Sequence, residues 1–231
     1  MPESDTFNPV DAAKTLNDPN AQAQVSIIGG HLYGVTPAAY STPAGDSPKQ
    51  IWMTEFGPLS GAQLTFAQAL SPYGLSIHNS LVNGQYNAYV WWGAFGNSTG
   101  SCSTAAGTCG FVDFSGNVQP MGEIMGQYSK FIQPGYVRAS ATATPVSGVY
   151  VSAYTGKDQS GTQHYVIVAI NTNTTVQNIS FTLSDAPTGI SSMTPTQSTS
   201  AAGLATEPAV TVTAGQFTYT LPAGSITTLV Q

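Results

Sequence analysis

Charged side chains are scarce in this 231-residue chain and make up 7% of its residues, against about 25% in an average soluble protein. Only five residues are lysine or arginine, and the net charge is −6. Because nucleic acids are bound by clustered lysine and arginine, the composition argues against such a partner. No apolar run approaches the ~20 residues of a membrane-spanning helix, so we expect no membrane partner either.

Cysteine is nearly absent as well. Cys102 and Cys109 lie in the segment SCSTAAGTC, with six residues between them. A glycine-containing loop of this length permits a local disulfide, which would favour an oxidising compartment. A metal site is the weaker interpretation, because no histidine is near and two thiolates rarely suffice. The sequence therefore predicts a disulfide, no metal and no cofactor.

The first half of the chain alternates strand patterns with helical patterns. The strand patterns cover residues 25–34, 50–56 and 85–93, and residues 1–4 resemble the tail of a further strand. The helical patterns cover residues 9–22, 61–84 and 120–132. Asn8 or Asp11 is a possible cap of the first helix, and Pro72 and Gly74 should split the second. Apolar strands alternating with helices predict a parallel sheet.

The second half has a different sequence pattern, in which β-branched and alternating segments follow one another between Gly, Pro, Asn and Asp turns. These segments are YVRASATA, VYVSAYTG, HYVIVAINTN, VQNISFTL, VTVTAGQFTYTL and SITTLVQ. We therefore expect two domains, an α/β unit over residues 1–133 and a β-sandwich over residues 134–231. Three or four βα units cannot close a barrel, which needs about eight, so the first unit would be open and its edge strands bare.

In a parallel βα array, catalytic and ligand-binding residues lie at the C-terminal ends of the strands. The three strand ends carry His31 and Tyr33, then Glu55, then Trp91 and Trp92. Aromatic faces stack on sugar rings, hydroxyl and imidazole groups bind sugar hydroxyls, and a carboxylate attacks or stabilises the anomeric carbon. Plainer roles are also open: Glu55 as a helix cap or ion-pair partner, and His31 as a hydrogen-bonded core residue.

Several long motifs, in order, resemble glycoside hydrolase family 30 on its xylanase side. They are SIIGGHLYG, KQIWMTEFG, NAYVWW, MGQYSKFIQPGYVRASAT, VYVSAY, YVIVAIN and LPAGSITTLV. The resemblance implies a retaining hydrolase whose (β/α)8 TIM barrel is fused to a side β-sandwich. This chain would hold the C-terminal half of the barrel, about four βα units. The resemblance also implies that Glu55 is the nucleophile, that Tyr33 hydrogen-bonds it and that Trp92 lines the substrate site.

The chain departs from the family pattern in two places. The family's acid/base glutamate lies in an Asn-Glu-Pro motif, which is absent here, and Glu3, at the end of the first strand, is the best substitute acid in the chain. The members specific for glucuronoxylan follow the paired tryptophans with an arginine-bearing segment. Here that segment reads GAFGNSTGS, and no Lys or Arg occurs between Lys49 and Lys130. We therefore expect no dependence on glucuronic acid side groups.

These observations favour a xylanase-like hydrolase of xylan or a related plant polysaccharide, either as a fragment or as a half-barrel that needs assembly. The expected partners are the polysaccharide and either a second copy of the chain or a missing N-terminal half-barrel. A non-catalytic carbohydrate-binding protein is the alternative, and a structural module without a ligand is a third interpretation. The start Met1-Pro2-Glu3 shows no signal peptide, which leaves open a removed signal, a start elsewhere or a cytosolic protein. The expected location is extracellular.

Overall fold

The structure is a computed structural model that describes residues 1, 3–7, 9–40, 49–58, 64–96, 110–113, 115–184 and 189–231. The chain folds into two compact units, the first formed by residues 1–63 and 75–115 and the second by residues 64–74 and 116–231. Cys102 and Cys109, the predicted disulfide pair, lie outside the described residues. Among the residues described, no helix is long and apolar enough to cross a membrane.

The first unit contains a four-stranded parallel sheet, as the sequence predicts. Its strands, in spatial order, are β1 (Glu3–Ser4), β2 (Ile27–His31), β3 (Gln50–Phe56) and β4 (Ala88–Trp91). Helices α1 (Pro9–Leu16), α2 (Pro19–Gln24) and α4 (Leu75–Val82) belong to the same unit. Two short strands, β5 (Phe95–Gly96) and β6 (Val112–Asp113), pair in parallel with each other.

The helical pattern over 9–22 forms two helices rather than one. Asp18 separates them because its side chain accepts hydrogen bonds from the backbone N–H groups of Asn20 and Ala21, at 2.8 and 3.1 Å. Proline at the first position of α2 suits this cap, since it has no N–H to leave unpaired. Of the two predicted caps, Asn8 lies outside the described residues, and α1 already begins at Pro9.

The core of the first unit is formed by side chains from α1 and from β2 and β3. The buried members are Ala12, Leu16, Val25, Ile28, Leu32, Ile51, Met53 and Tyr86. Strand β2 is crowded, because a Cβ on Gly30 would lie 2.9 Å from the Phe7 ring and one on Gly29 3.0 Å from Cγ2 of Thr54. The paired glycines of the IIGGH segment therefore let β2 approach its neighbours closely.

The pattern over 61–84 is broken as predicted. Helix α3 (Phe66–Gln68) leads into a kinked segment, Ala69–Gly74, and α4 follows. Ser71, at φ −136° and ψ 118°, is not helical, because the residue before a proline is displaced from the helical region.

The second unit is built from two antiparallel sheets. Strands β12 (Ala205–Thr206), β11 (Ser192–Ser198), β15 (Ser225–Val230), β9 (Gln163–Asn171), β8 (Val149–Lys157) and β7 (Val137–Ala139) lie side by side in that order, and β13 (Val210–Thr211) also pairs with β11. The second sheet pairs β10 (Gln177–Thr182) with β14 (Gln216–Leu221). Apolar side chains from both sheets, among them Val149, Ile167, Phe181 and Phe217, share one core.

Strand β11 is missing from the sequence prediction, which is therefore wrong over 192–198. The segment SMTPTQS contains Pro195, and a proline inside a strand argues against pairing because it removes a ladder donor. The structure nevertheless pairs Pro195 with Leu229 of β15, and the Pro195 carbonyl accepts a hydrogen bond from the N–H of Glu207 at 2.9 Å. The strand forms because pairing with its neighbours stabilises it, although its own sequence pattern does not predict a strand.

Helix α5 (Pro120–Ser129) packs within the second unit, although the sequence assigns it to the first. The Gln127 side chain donates to Ser198 Oγ at 2.8 Å, and Thr228 Oγ1 donates to the Gln127 carbonyl at 2.6 Å. These bonds connect the helix to β11 and β15. The expected domain boundary between residues 133 and 134 stays a prediction.

Candidate active site

The ends of strands β2 and β3 bring the candidate residues together. His31 is the register partner of Glu55, and Phe56 is the partner of Trp91 on β4. Both ladders are irregular here, with shifts between Gly30 and His31 and between Met53 and Phe56. Side chains at such irregularities are aimed differently from those of a regular strand.

Alternation along a regular strand would place Ile51, Met53 and Glu55 on one face, but the irregularity changes the direction of the Glu55 side chain. Ile51 and Met53 belong to the buried core with α1, but Glu55 is 25% exposed and lies beside His31 and Tyr33. Strict alternation fails over the last residues of β3 because a bulge interrupts the period of two. The carboxylate therefore lies at the strand end, with one edge accessible.

The Glu55 carboxylate is held through one of its oxygens. Tyr33 Oη donates a hydrogen bond to Oε1 at 3.1 Å, so the hydrogen bond that the family resemblance implies is present. His31 Nε2 lies 3.9 Å from Oε2, which is beyond hydrogen-bond distance. The Tyr33 ring lies edge-on to His31, with centroids 5.9 Å apart, and is tilted against Phe56 at 5.7 Å. Phe56, which sequence reasoning missed, thus supports the ring that orients Glu55.

Glu3 joins the site from β1. Its Oε1 lies 3.3 Å from His31 Nε2. A hydrogen bond from the Thr54 side chain holds the pKa of Glu3 below its usual range, and the hydrogen bond and charge of His31 act in the same direction, while burial opposes them. A general acid must carry a proton at the working pH, so this direction opposes the substitute-acid role that the sequence suggests. Thr54, next to Glu55 in the sequence, was also missed.

The two tryptophans have different surroundings. Trp91 is 6% exposed and stacks on Phe111, with ring centroids 6.3 Å apart. Trp92 is 43% exposed, and its backbone N–H donates to the Phe56 carbonyl at 3.0 Å. A Cβ on Gly57 would lie 3.3 Å from Trp92 Cβ, so the glycine allows this close approach. Of the predicted substrate-binding pair, only Trp92 presents an open ring.

The cluster offers a carboxylate, a second carboxylate with a lowered pKa, an imidazole and a phenol. Across the described ranges, no group of three His, Cys, Asp or Glu residues could hold a metal ion. A cavity of about 770 Å³ lies in the second unit between its two sheets, and none of the residues of this cluster lines it. The strand-end cluster thus places polar side chains where a ligand can reach them.

Comparison with known proteins finds similar xylanases, although no protein-family model matches the chain. The chain is 36% identical over 221 residues to the glucuronoxylanase XynC of Bacillus subtilis (strain 168), covering 93% of this chain and 48% of that protein. It superimposes on the family 30 subfamily 8 xylanase Xyn30A of Clostridium acetobutylicum with a TM-score of 0.84, at 36% identity over 100% of this chain and 54% of that one.

A second solved structure, a family 30 endoxylanase from Clostridium papyrosolvens C71, matches with a TM-score of 0.81 and 34% identity, over 100% of this chain and 55% of that one. The predicted resemblance to the xylanases of glycoside hydrolase family 30 is thus confirmed along the chain. The chain spans about half the length of the relatives it matches.

Proposed function

We propose that this chain carries the nucleophile of a retaining glycoside hydrolase that cleaves xylan or a related plant polysaccharide. Glu55 attacks the anomeric carbon, the glycosidic bond to the leaving sugar breaks, and water later hydrolyses the glycosyl-enzyme. The leaving oxygen needs a proton from a second carboxyl group ~5–5.5 Å from the first. The chain contains no Asn-Glu-Pro segment to supply it.

The observation that carries this proposal is the hydrogen bond from Tyr33 Oη to Glu55 Oε1, at 3.1 Å. A hydrogen bond to one carboxylate oxygen fixes the direction of the other. A helix cap would face backbone N–H groups instead. Glu55 faces a phenol and an imidazole at the end of a parallel strand, where ligands bind in such folds.

Substrate is held by the exposed aromatic face of Trp92 and by the polar edge of His31. Trp91, being buried, supports the neighbouring Trp92 through its packing on Phe111. Xylan is the substrate class because the relatives named above are xylanases. A polysaccharide of the plant cell wall is met outside the cell, so we propose an extracellular location.

We further propose that the first unit is the C-terminal half of a (β/α)8 barrel, and that residues 134–231 form its side β-sandwich. The sheet ends at β1 and β4, whose outer edges pair with no other strand among the described residues. Either the other half of a barrel or a second copy of the chain would cover them. Sedimentation of the purified chain tests this, because a monodisperse monomer that hydrolyses xylan at the rate of a full-barrel enzyme would exclude both arrangements.

Covalent labelling tests the nucleophile without requiring a proton donor. In a 2-deoxy-2-fluoro xylobioside with a dinitrophenyl leaving group, a bond forms between Glu55 and C1 while dinitrophenolate departs unprotonated. We expect one added glycosyl mass, located on the peptide that contains Glu55. Glu55→Gln should remove the label, whereas the matched variant Glu207→Gln, which changes a glutamate in the second unit, should keep it.

Failure of the unaltered chain to be labelled, or a label that survives Glu55→Gln, would contradict this assignment. Binding of xylan without any labelling would instead favour the non-catalytic alternative. The two outcomes are distinguished by measuring xylan retention and intact mass on the same preparation.

A further inference from the structure

We infer that Glu3 is a positioning residue: it holds the His31 imidazole away from Glu55 and so keeps Oε2 as the attacking oxygen. This inference rests on the proposed function of Glu55 and assigns Glu3 a different role from that of a proton donor. It follows from the distances among three side chains, which are Glu3 on β1, His31 on β2 and Glu55 on β3.

The imidazole nitrogen of His31 faces two carboxylates and can donate to only one. Nε2 lies 3.3 Å from Glu3 Oε1 and 3.9 Å from Glu55 Oε2. Ionised carboxylates only accept hydrogen bonds, so the proton belongs on Nε2 and points to the nearer carboxylate. The lowered pKa of Glu3 agrees with this, since it keeps Glu3 ionised. Glu3 therefore accepts the hydrogen bond that the Nε2–H group of His31 donates.

The two oxygens of Glu55 are consequently unequal. Oε1 accepts the hydrogen bond from Tyr33, whereas no described residue donates a hydrogen bond to Oε2. A lone pair that accepts a charge-assisted hydrogen bond is a weaker nucleophile than a free one. Without the Glu3 carboxylate, His31 Nε2 would need to move by about 0.7 Å to come within hydrogen-bond distance of Oε2, and that bond would occupy the attacking oxygen.

The double-variant cycle of Glu3→Gln and His31→Asn tests this inference, using the labelling rate with the dinitrophenyl fluoroglycoside. Glu3→Gln should slow labelling about tenfold, equivalent to about 1.4 kcal/mol. In the His31→Asn background, Glu3→Gln should change the rate little, because no imidazole remains to be restrained. Glu3→Asp, which keeps the charge, should recover part of the loss.

The leaving group separates positioning from acid catalysis. Dinitrophenolate needs no proton, so removing a general acid would leave the labelling rate unchanged with this reagent. Removing a positioning residue would lower it. Equal labelling rates for the unaltered chain and Glu3→Gln, or effects of Glu3→Gln and His31→Asn that simply add, would overturn the inference. Labelling of Glu55 would still be seen in either case, which leaves the proposed function standing.

A second readout needs no activity. The chain has three histidines, so the ring ¹⁵N resonances of His31 are identified by their loss in His31→Asn. We expect the Nε2 resonance to move more with Glu3→Gln than with Glu55→Gln. The reverse order would show that His31 already donates to Glu55, and would overturn the inference even if a variant were too unstable for kinetics.

Discussion

Met53 anchors the strand that presents Glu55, and its truncation is the most direct test of how the site is built. The side chain is 0% exposed and lies in the cluster that joins β3 to α1. Two residues later the strand becomes irregular and Glu55 leaves the core. Met53→Ala removes the packing on one side of that irregularity without touching any polar group of the site.

The expected loss follows from the burial. Replacing a fully buried methionine by alanine typically costs about 2–5 kcal/mol, which combines the lost transfer free energy with the cavity left behind. With a urea slope of about 1–3 kcal/mol per molar, a loss of about 3 kcal/mol lowers the unfolding midpoint by about 1–3 M. Met53→Leu keeps the volume and should cost less than about 1.5 kcal/mol.

Tryptophan fluorescence is the appropriate probe, because Trp52, Trp91 and Trp92 all lie in the first unit. Urea titrations of the unaltered chain, Met53→Ala and Met53→Leu would therefore report on that unit. A midpoint for Met53→Ala equal to that of Met53→Leu would refute the argument, since it would mean that the core behind Glu55 does not depend on this side chain.

Two further predictions concern pH and substrate. The pKa of Asp158 is held well below its usual range by the Ser160 hydroxyl and then by His164, so this carboxylate stabilises the folded chain above the ordinary aspartate range. The stabilisation is complete above the ordinary aspartate pKa of about 4, and it declines gradually as the pH falls from there through the lowered pKa of the folded state. Asp158→Asn should therefore lower the melting temperature, followed by circular dichroism, by less at pH 3 than at pH 7; an equal drop at both would contradict it. Because no Lys or Arg occurs between residues 49 and 130, the rates of reducing-sugar release from glucuronoxylan and from unsubstituted xylan should be similar in an active preparation, and a clear preference for glucuronoxylan would count against this expectation.

Local chemistry made several features predictable from the sequence. The apolar run that forms β3 has the predicted bounds, residues 50–56, since a continuous β-branched and aromatic segment ended by Gly57 and Pro58 has few alternatives. The break before Pro72 followed in the same way from the proline ring. The hydrogen bond from Tyr33 to Glu55 is also present, but the family resemblance of the surrounding motifs, rather than local chemistry, implied it.

Other features depended on the tertiary structure. Glu3 and His31 are 28 residues apart in the sequence, and their contact arises from the lateral register of β1 against β2, which no local pattern encodes. Which of the two adjacent tryptophans is buried was decided by Phe111, which stacks on Trp91. Helix α5 resembles any amphipathic helix in its sequence, and its tertiary contacts, among them the bonds of Gln127 to β11 and β15, assign it to the second unit. A periodic sequence determines which face a residue occupies, but the element that covers that face is determined by the packing of distant segments.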